Sequence, residues 1–214
     1  MKASAVLLSW RRPDNLADIV AALRASGAIG EVLVWNNNPD VRLELEAAAV
    51  IQAPANMFLL PRLAVGCLAR WPAIWFQDDD LVLAPAQVAE LWDRFVADGG
   101  RRIHGVQGRM LAPNGAYDGR NVFGDCDIVN QAVVFRRAAL ARALGWLPSP
   151  LWEPGTVDPA EDDILLSLAQ GRRQAVAVDV GALERRGAYD DMAWSRRPEH
   201  RARRQAMVDW MLLK

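Results

Sequence analysis

Ile74-Trp75-Phe76-Gln77-Asp78-Asp79-Asp80 is the stretch on which the reading of this chain turns. Ile74 to Gln77 reads as a buried central strand, and three carboxylates follow it without a spacer. Adjacent carboxylates at the mouth of a buried strand repel one another. The arrangement becomes tolerable when a divalent cation sits among them, because hard cations take carboxylate oxygens. A cation held there would in turn hold a diphosphate. The plain alternative is a solvated acidic turn at the end of a strand.

Outward from that strand, the first half of the chain alternates strand and helix. Ala5 to Ser9 reads as a strand, and Asp14 or Asn15 caps a helix with Leu16, Ile19, Val20 and Leu23 at helical spacing, ended by Gly27. Val32 to Trp35 is the next strand, closed by Asn36-Asn37-Asn38-Pro39, and Ala49 to Ala53 is a weaker one. Leu59 to Arg70 reads as a helix. Pro85 opens another, with Val88, Leu91, Trp92 and Phe95 on one face and Gly99-Gly100 at its end. This rhythm predicts a mainly parallel sheet with helices on both faces. Ligands of such sheets bind outside the carboxyl ends of the strands. Three polar clusters fall on that edge: Ser9-Trp10-Arg11-Arg12, Asn36-Asn37-Asn38 and the acidic triplet.

The second half is less regular. Ile103 to Gly108, Val129 to Phe135 and Ala175 to Val180 read as strands, Arg136 to Leu144 as a helix, and 109–128 as a loop. A Pro-rich link from Pro148 to Pro159 leads to a short helix near Glu161, and the tail from Arg197 to Leu213 reads as helical. Nothing in composition forces a second domain. One domain over 1–214 is expected, with 1–108 as the nucleotide-binding half and 109–214 as the acceptor and catalytic half.

Composition narrows the chemistry. With 52% hydrophobic residues in 214, a compact core is expected. The net charge of -1 provides no general attraction to nucleic acid. Basic charge gathers late, at Arg196, Arg197, Arg201, Arg203 and Arg204, as a local anion site or a solvated helix face. Cys67 and Cys126, the two cysteines, make no disulfide framework. No leader pattern opens the sequence, and no run reaches the roughly 18 apolar residues of a membrane span. The expected location is therefore the cytoplasm, at most peripheral to a membrane. Lysine occurs only at Lys2 and Lys214, which excludes an internal Gly-rich phosphate loop with its lysine and a Schiff-base lysine. A cationic contact to phosphate must come from arginine or a metal.

A second acidic cluster follows at Asp158-Pro159-Ala160-Glu161-Asp162-Asp163. Asp158 as N-cap, Pro159 at the first helical position and acids in the first turn explain part of it. They do not require Glu161, Asp162 and Asp163 together. Two acidic clusters suggest a division of labour, one holding a metal and the other beside the reacting carbon.

Taken in order, these residues resemble the metal-dependent nucleotide-sugar glycosyltransferases of GT-A fold, most closely the exostosin and exostosin-like C-terminal domain. Leu7 to Arg12 resembles the family's first strand and its Thr-Tyr-Asn-Arg turn, and Val34-Trp35-Asn36-Asn37 its Val-Trp-Asn-Asn segment. Ala55-Asn56 followed by Arg62 resembles its Ala-Asn and Asn-Arg region. Asp78-Asp79-Asp80 matches its Asp-x-Asp metal motif, and Asp162-Asp163-Ile164 its Cys-Asp-Asp-Ile segment. Trp194 through Arg197-Pro198-Glu199-His200 resembles its late Trp-His-Arg-Ala-Glu-His stretch. The set spans almost the whole chain. Departures are the missing extra arginine between Asn56 and Arg62, one residue more between Trp194 and His200, and a reduced acceptor-side loop.

The resemblance implies an α/β, single-domain GT-A (Rossmann-like) fold with a mixed, mainly parallel sheet flanked by helices. It implies transfer of a sugar, an N-acetylhexosamine by preference, from a UDP-sugar to a glycan or other hydroxyl acceptor with retention, with Mn²⁺ or Mg²⁺ as cofactor. Arg12, Asn36, Asn56 and Arg62 would line the nucleotide site. Asp80 would be the main metal ligand, with Asp78 or Asp79 contacting ribose or a metal-bound water and Asp78 a second metal contact. Arg197 would assist at the diphosphate, and His200 is a further metal or diphosphate contact or a plain surface residue. Asp163 would stabilise the oxocarbenium-like transition state or attack it, or, in an inverting reaction, act as general base. Glu161 and Asp162 would meet sugar hydroxyls or the acceptor.

Of nine tryptophans, Trp75, Trp92, Trp146 and Trp210 read as core, while Trp152 and Trp194 read first as packing residues and second as candidates for sugar stacking. A haloacid-dehalogenase-type phosphatase also places Asp-x-Asp after a strand, but it relies on a lysine absent here. Nucleotidyltransferases share the core and the metal but carry a Gly-rich N-terminal signature, and Leu7-Leu8-Ser9-Trp10 has no glycine. A nucleotide-sugar-binding module without transfer is the remaining alternative.

Overall fold

The structure is a computed structural model and describes residues 1–117, 120–146, 161–187 and 199–213. Its centre is one nine-stranded sheet. In chain order the strands are β1 (Ala3–Ser9), β2 (Ile29–Asn36), β3 (Ala49–Gln52), β4 (Ala73–Gln77), β5 (Leu81–Val82), β6 (Ile103–Arg109), β7 (Asn121–Val122), β8 (Gly124–Cys126), β9 (Ile128–Arg136), β10 (Ala175–Ala177) and β11 (Glu184–Arg185). The helices are α1 (Asn15–Ala25), α2 (Leu60–Cys67), α3 (Pro85–Ala97), α4 (Arg137–Leu144), α5 (Asp162–Leu168) and α6 (His200–Leu212).

The sheet runs β3-β2-β1-β4-β9-β6-β10-β8, with β7 on β6. β3, β2, β1 and β4 are mutually parallel, as are β6 and β10; β9 runs against its neighbours β4 and β6. The sheet is thus mixed and mainly parallel. Both faces are covered, so the strands carry almost unbroken apolar runs, and alternation decides which layer each side chain enters. Ile74 and Phe76 pack with α2, α4, α5 and α6, while Ala73 and Trp75 pack with α1 and α3. Trp75 is fully buried, and its indole N–H donates to Gln77 Oε1 at 3.0 Å. Among the described residues no helix is long and apolar enough to cross a membrane.

Several expected boundaries change. The stretch 109–128 is not all loop, because β7 and β8 lie within it and β8 pairs with β10. These strands are two and three residues long, too short for periodicity to register. β5 and β11 form a separate two-stranded ribbon that brings Glu184 and Arg185 back beside the acidic triplet. The helix expected over Leu59 to Arg70 is shorter, and the last strand stops at Ala177. Asp158, Trp152, Trp194 and Arg197 lie outside the described residues, as does the cap proposed on Asp158.

Candidate functional site

The chain passes outward from β1 through β2 to β3, then crosses back to place β4 on the other side of β1. The carboxyl ends of β1 and β4 therefore border the point where strand order reverses, the usual crevice of such sheets. The three polar clusters meet there. Arg12, after β1, donates from Nη1 to Asp79 Oδ1 at 3.1 Å. Asn38, after β2, donates from Nδ2 to the Trp10 carbonyl at 3.1 Å. Asn15 at the start of α1 donates to the carbonyls of Asp79 and Arg186, tying the ribbon over the triplet.

The members of the triplet have different surroundings. Asp78 pairs with Arg62 Nη2 at 2.7 Å. Asp79 is held by Arg12, yet burial, opposed by that arginine, pushes its carboxyl up to about 6. Asp80 has no ion pair among the described residues. Its pKa is raised, first by burial and then by Asp78, with Arg12 and Arg185 acting in the opposite direction. Opposite Asp78, β9 departs from regular geometry: Gln131 sits at φ 72°, its carbonyl accepts the Asp78 N–H at 2.8 Å, and its Oε1 accepts from Arg185. A non-glycine residue in that region carries strain of about 1–3 kcal/mol, maintained by its neighbours.

The second acidic cluster faces the first across Arg62. This arginine from α2 is 6% exposed, and its Nε lies 3.5 Å from Asp162 Oδ2. Burial works against its charge, but Asp162, Asp78 and Asp163 outweigh that and raise its pKa. Asp162 is buried in turn, and the loss of solvent pushes its carboxyl up to about 7 despite Arg62.

Asp163 belongs to a second pair. Arg204 from α6 donates from Nη1 to Asp163 Oδ1 at 3.2 Å and from Nη2 to Oδ2 at 2.5 Å, and the same Nη1 bonds Glu161 Oε2. Burial alone would raise the Asp163 pKa, but Arg204 overrides it and holds the carboxyl below its ordinary value. Glu161 moves the other way: burial dominates, and its carboxyl is pushed up to about 7. The Arg204 guanidinium also lies over the Tyr117 ring, 5.0 Å from its centre. Two arginines thus serve four carboxylates, Arg62 for Asp78 and Asp162, Arg204 for Glu161 and Asp163. Among the described residues these four carboxylates outnumber the two arginines that pair with them.

Not every residue expected in the nucleotide site has free groups. The Asn36 amide is fully buried and donates to Val41 O at 2.6 Å and Gln52 Oε1 at 2.9 Å, while its Oδ1 accepts from Asn38 N. Here Asn36 builds the turn after β2, because both amide hydrogens are committed inside the fold. Asn56 accepts the Phe58 N–H at 2.9 Å, which shapes the approach to α2. Asn37 fastens the same approach by bonding Met57 N and Phe58 O. Arg12 keeps Nε and Nη2 buried without a hydrogen-bond partner among the described residues.

Sequence reasoning did not single out Arg185, Gln131 or Tyr117, and it took Arg204 only as one of a late basic group forming an anion site or a solvated helix face, whereas Arg204 is buried against two carboxylates. For Arg204 a signal existed: Arg204, Met207, Val208 and Met211 form the buried stripe of α6, and an arginine at the head of an apolar stripe needs a buried acid. Arg185 and Gln131 carry no such mark, since a long-range ribbon and a local bulge place them. The cavity of 230 Å³ lined by Val106, Gln107, Val122, Phe123 and Leu183 is apolar and contains none of these charged groups. Among the described residues no three His, Cys, Asp or Glu side chains are arranged to hold a metal by themselves.

No family model matches the chain, and no curated protein matches it. In three dimensions it is similar to S. aureus TarS 1-349, with a TM-score of 0.55 and 14% identity over 86% of this chain and 59% of that one. The chain therefore spans about 59% of that TarS structure. It is also similar to CMP:2-keto-3-deoxy-manno-octonic acid synthetase complexed with CTP, with a TM-score of 0.59 and 15% identity over 86% and 91% of the two chains. At these identities the likeness is one of fold: a mixed, largely parallel α/β sheet flanked by helices, of the Rossmann-like GT-A kind.

Proposed function

We propose that this protein is a metal-dependent glycosyltransferase that moves a sugar from a UDP-sugar to a hydroxyl group of a carbohydrate-type acceptor. The observation that carries the reading is the paired-cluster geometry at the strand-order reversal: Arg62 joins the acidic triplet to the cluster containing Asp163. The exostosin-like resemblance adds the preference for an N-acetylhexosamine donor and for retention.

The donor set fits a hard cation that arrives with phosphates. Asp80 is partly desolvated and unpaired among the described residues, and Asp78 keeps one oxygen outside its bond to Arg62. Mg²⁺-like ions are usually held by one or two carboxylates plus substrate phosphates and water. When bound, the ion would stabilise charge on the departing nucleoside diphosphate. Arg12 would offer the nucleotide the two nitrogens that have no partner among the described residues, Arg62 fixes the orientation of Asp78, and Arg204 keeps Asp163 ionised beside the reacting carbon.

Binding of UDP should therefore require the cation. Calorimetry is expected to show at least a tenfold loss of UDP affinity when Mn²⁺ is replaced by excess chelator, about 1.4 kcal/mol or more. Equal affinity in chelator would remove the metal from the reading. A thermal-shift screen of nucleotide sugars with Mn²⁺ identifies the donor, because a ligand at 100 times its Kd stabilises the native state by about 2.7 kcal/mol.

A nucleotidyltransferase is the second reading, favoured by the likeness to the CTP-bound synthetase over 91% of that chain. It is distinguished by its product. A nucleoside triphosphate and a sugar would yield pyrophosphate, whereas a UDP-sugar and an acceptor yield UDP.

A further inference from the structure

We infer that Glu161 is the group that takes the proton from the acceptor hydroxyl, with His200 as its route to solvent, while Asp163 remains a fixed charge. The inference rests on the transferase reading above and assigns the proton-transfer step within it.

Geometry separates the two carboxylates. Both oxygens of Asp163 face the Arg204 guanidinium, one from each terminal nitrogen. A carboxylate gripped at both oxygens by a cation is a poor proton acceptor. Glu161 is bonded by Arg204 through Oε2 only, and its Oε1 faces His200 Nδ1 at 3.9 Å. Glu161 itself is 5% exposed. The His200 side chain is 27% exposed and therefore reaches from the buried carboxylate to water. In the surrounding cluster Arg204 Nε is buried without a hydrogen-bond partner among the described residues, and Arg62 Nε faces Asp162 Oδ2 at 3.5 Å.

The charged groups facing Glu161 are Arg204 and His200 from α6 and Asp162 and Asp163 from α5, with Tyr117 across the Arg204 guanidinium. Burial and the two neighbouring aspartates outweigh Arg204 and push Glu161 up to about 7, whereas Asp163 is held down. Environments that drive two carboxyls apart assign the proton to one and the charge to the other. In the step, the acceptor O–H bond breaks and its proton passes to Glu161 Oε1. The acceptor oxygen bonds the anomeric carbon on the face from which the diphosphate departs, so that configuration is retained, and the bond from that carbon to the diphosphate oxygen breaks, its electron pair leaving with UDP. Glu161 then loses the proton through His200.

The test is the pH dependence of transfer with a UDP-sugar and Mn²⁺, together with UDP affinity by calorimetry. The base must be unprotonated, so wild-type kcat/KM should rise about tenfold per pH unit and level off above about 7. Glu161→Gln should lower the plateau by roughly 100-fold or more and abolish the limb, with UDP affinity unchanged. Glu161→Asp should restore part of the rate with a limb still present, and His200→Gln should slow transfer and move the limb. Glu161→Gln with a wild-type limb and rate would overturn the proton role and leave the transferase reading standing. A wild-type chain that binds UDP but turns over no nucleotide sugar at any pH would overturn both.

Discussion

Replacing Arg204 by methionine is expected to lower stability by about 3–5 kcal/mol, because breaking a buried ion pair leaves charge without compensation. Arg204 is 8% exposed and is the shared partner of Glu161 and Asp163, so its loss removes the guanidinium from two buried carboxylates at once and leaves Glu161 only the longer contact to His200. For a chain of this size the loss corresponds to a Tm lower by roughly 10 °C. The deficit should depend on pH in a defined direction. Without the guanidinium both carboxyls bind protons more tightly folded than unfolded, so stability falls as pH rises above the unfolded values near 4. Thermal melts should show the deficit shrinking as pH is lowered from about 8 to about 5. Arg204→Lys should recover charge but not the two-point grip on Asp163, because an ammonium offers no planar fork. An Arg204→Met chain that melts with the wild type at every pH would show that the pair does not support the fold.

Asp163→Asn is expected to lower transfer on the order of 10³-fold while UDP affinity stays close to that of the wild type. Asp163 lies outside the triplet assigned to the diphosphate, and Arg204 holds it ionised. The amide keeps the shape and loses the charge that would oppose an oxocarbenium-like centre. Arg204 retains its bond to Glu161, so the variant should fold. Steady-state rates and calorimetry on the same preparation separate the effects. A fully active Asp163→Asn enzyme would move the catalytic charge elsewhere in the cluster, with Asp162 the next candidate.

The elements that could be read from sequence are those with local causes. The apolar spacing of Leu16, Ile19, Val20 and Leu23 marks α1, and the run Ile74 to Phe76 marks β4, because periodicity and burial act over a few residues. The polar strand ends could also be placed on one edge, since parallel strands joined by helices have no other geometry available. The nature of each polar residue at that edge was less visible. Asn36 and Arg12 look equally suited to a nucleotide, yet one spends its amide on the turn after β2 and the other keeps two nitrogens without partners among the described residues. That difference depends on where Val41 and Gln52 lie in space. The short β5–β11 ribbon was likewise invisible, because two-residue strands have no period and their pairing is long-range.

The sequence by itself determined that a parallel-type sheet ends in carboxylates, that a second acidic group follows it, and that internal lysine is absent, so that any cationic contact to a phosphate would come from arginine or a metal. Composition and short-range pattern are sufficient for those statements. Only the tertiary structure decided how the charges are shared: Arg62 between Asp78 and Asp162, Arg204 between Glu161 and Asp163. Those pairings involve residues far apart along the chain, and the protonation of each carboxyl follows from its burial and its partner. Adjacent acids that look alike in sequence therefore leave the fold as different chemical groups, Asp163 ionised and Glu161 ready to hold a proton.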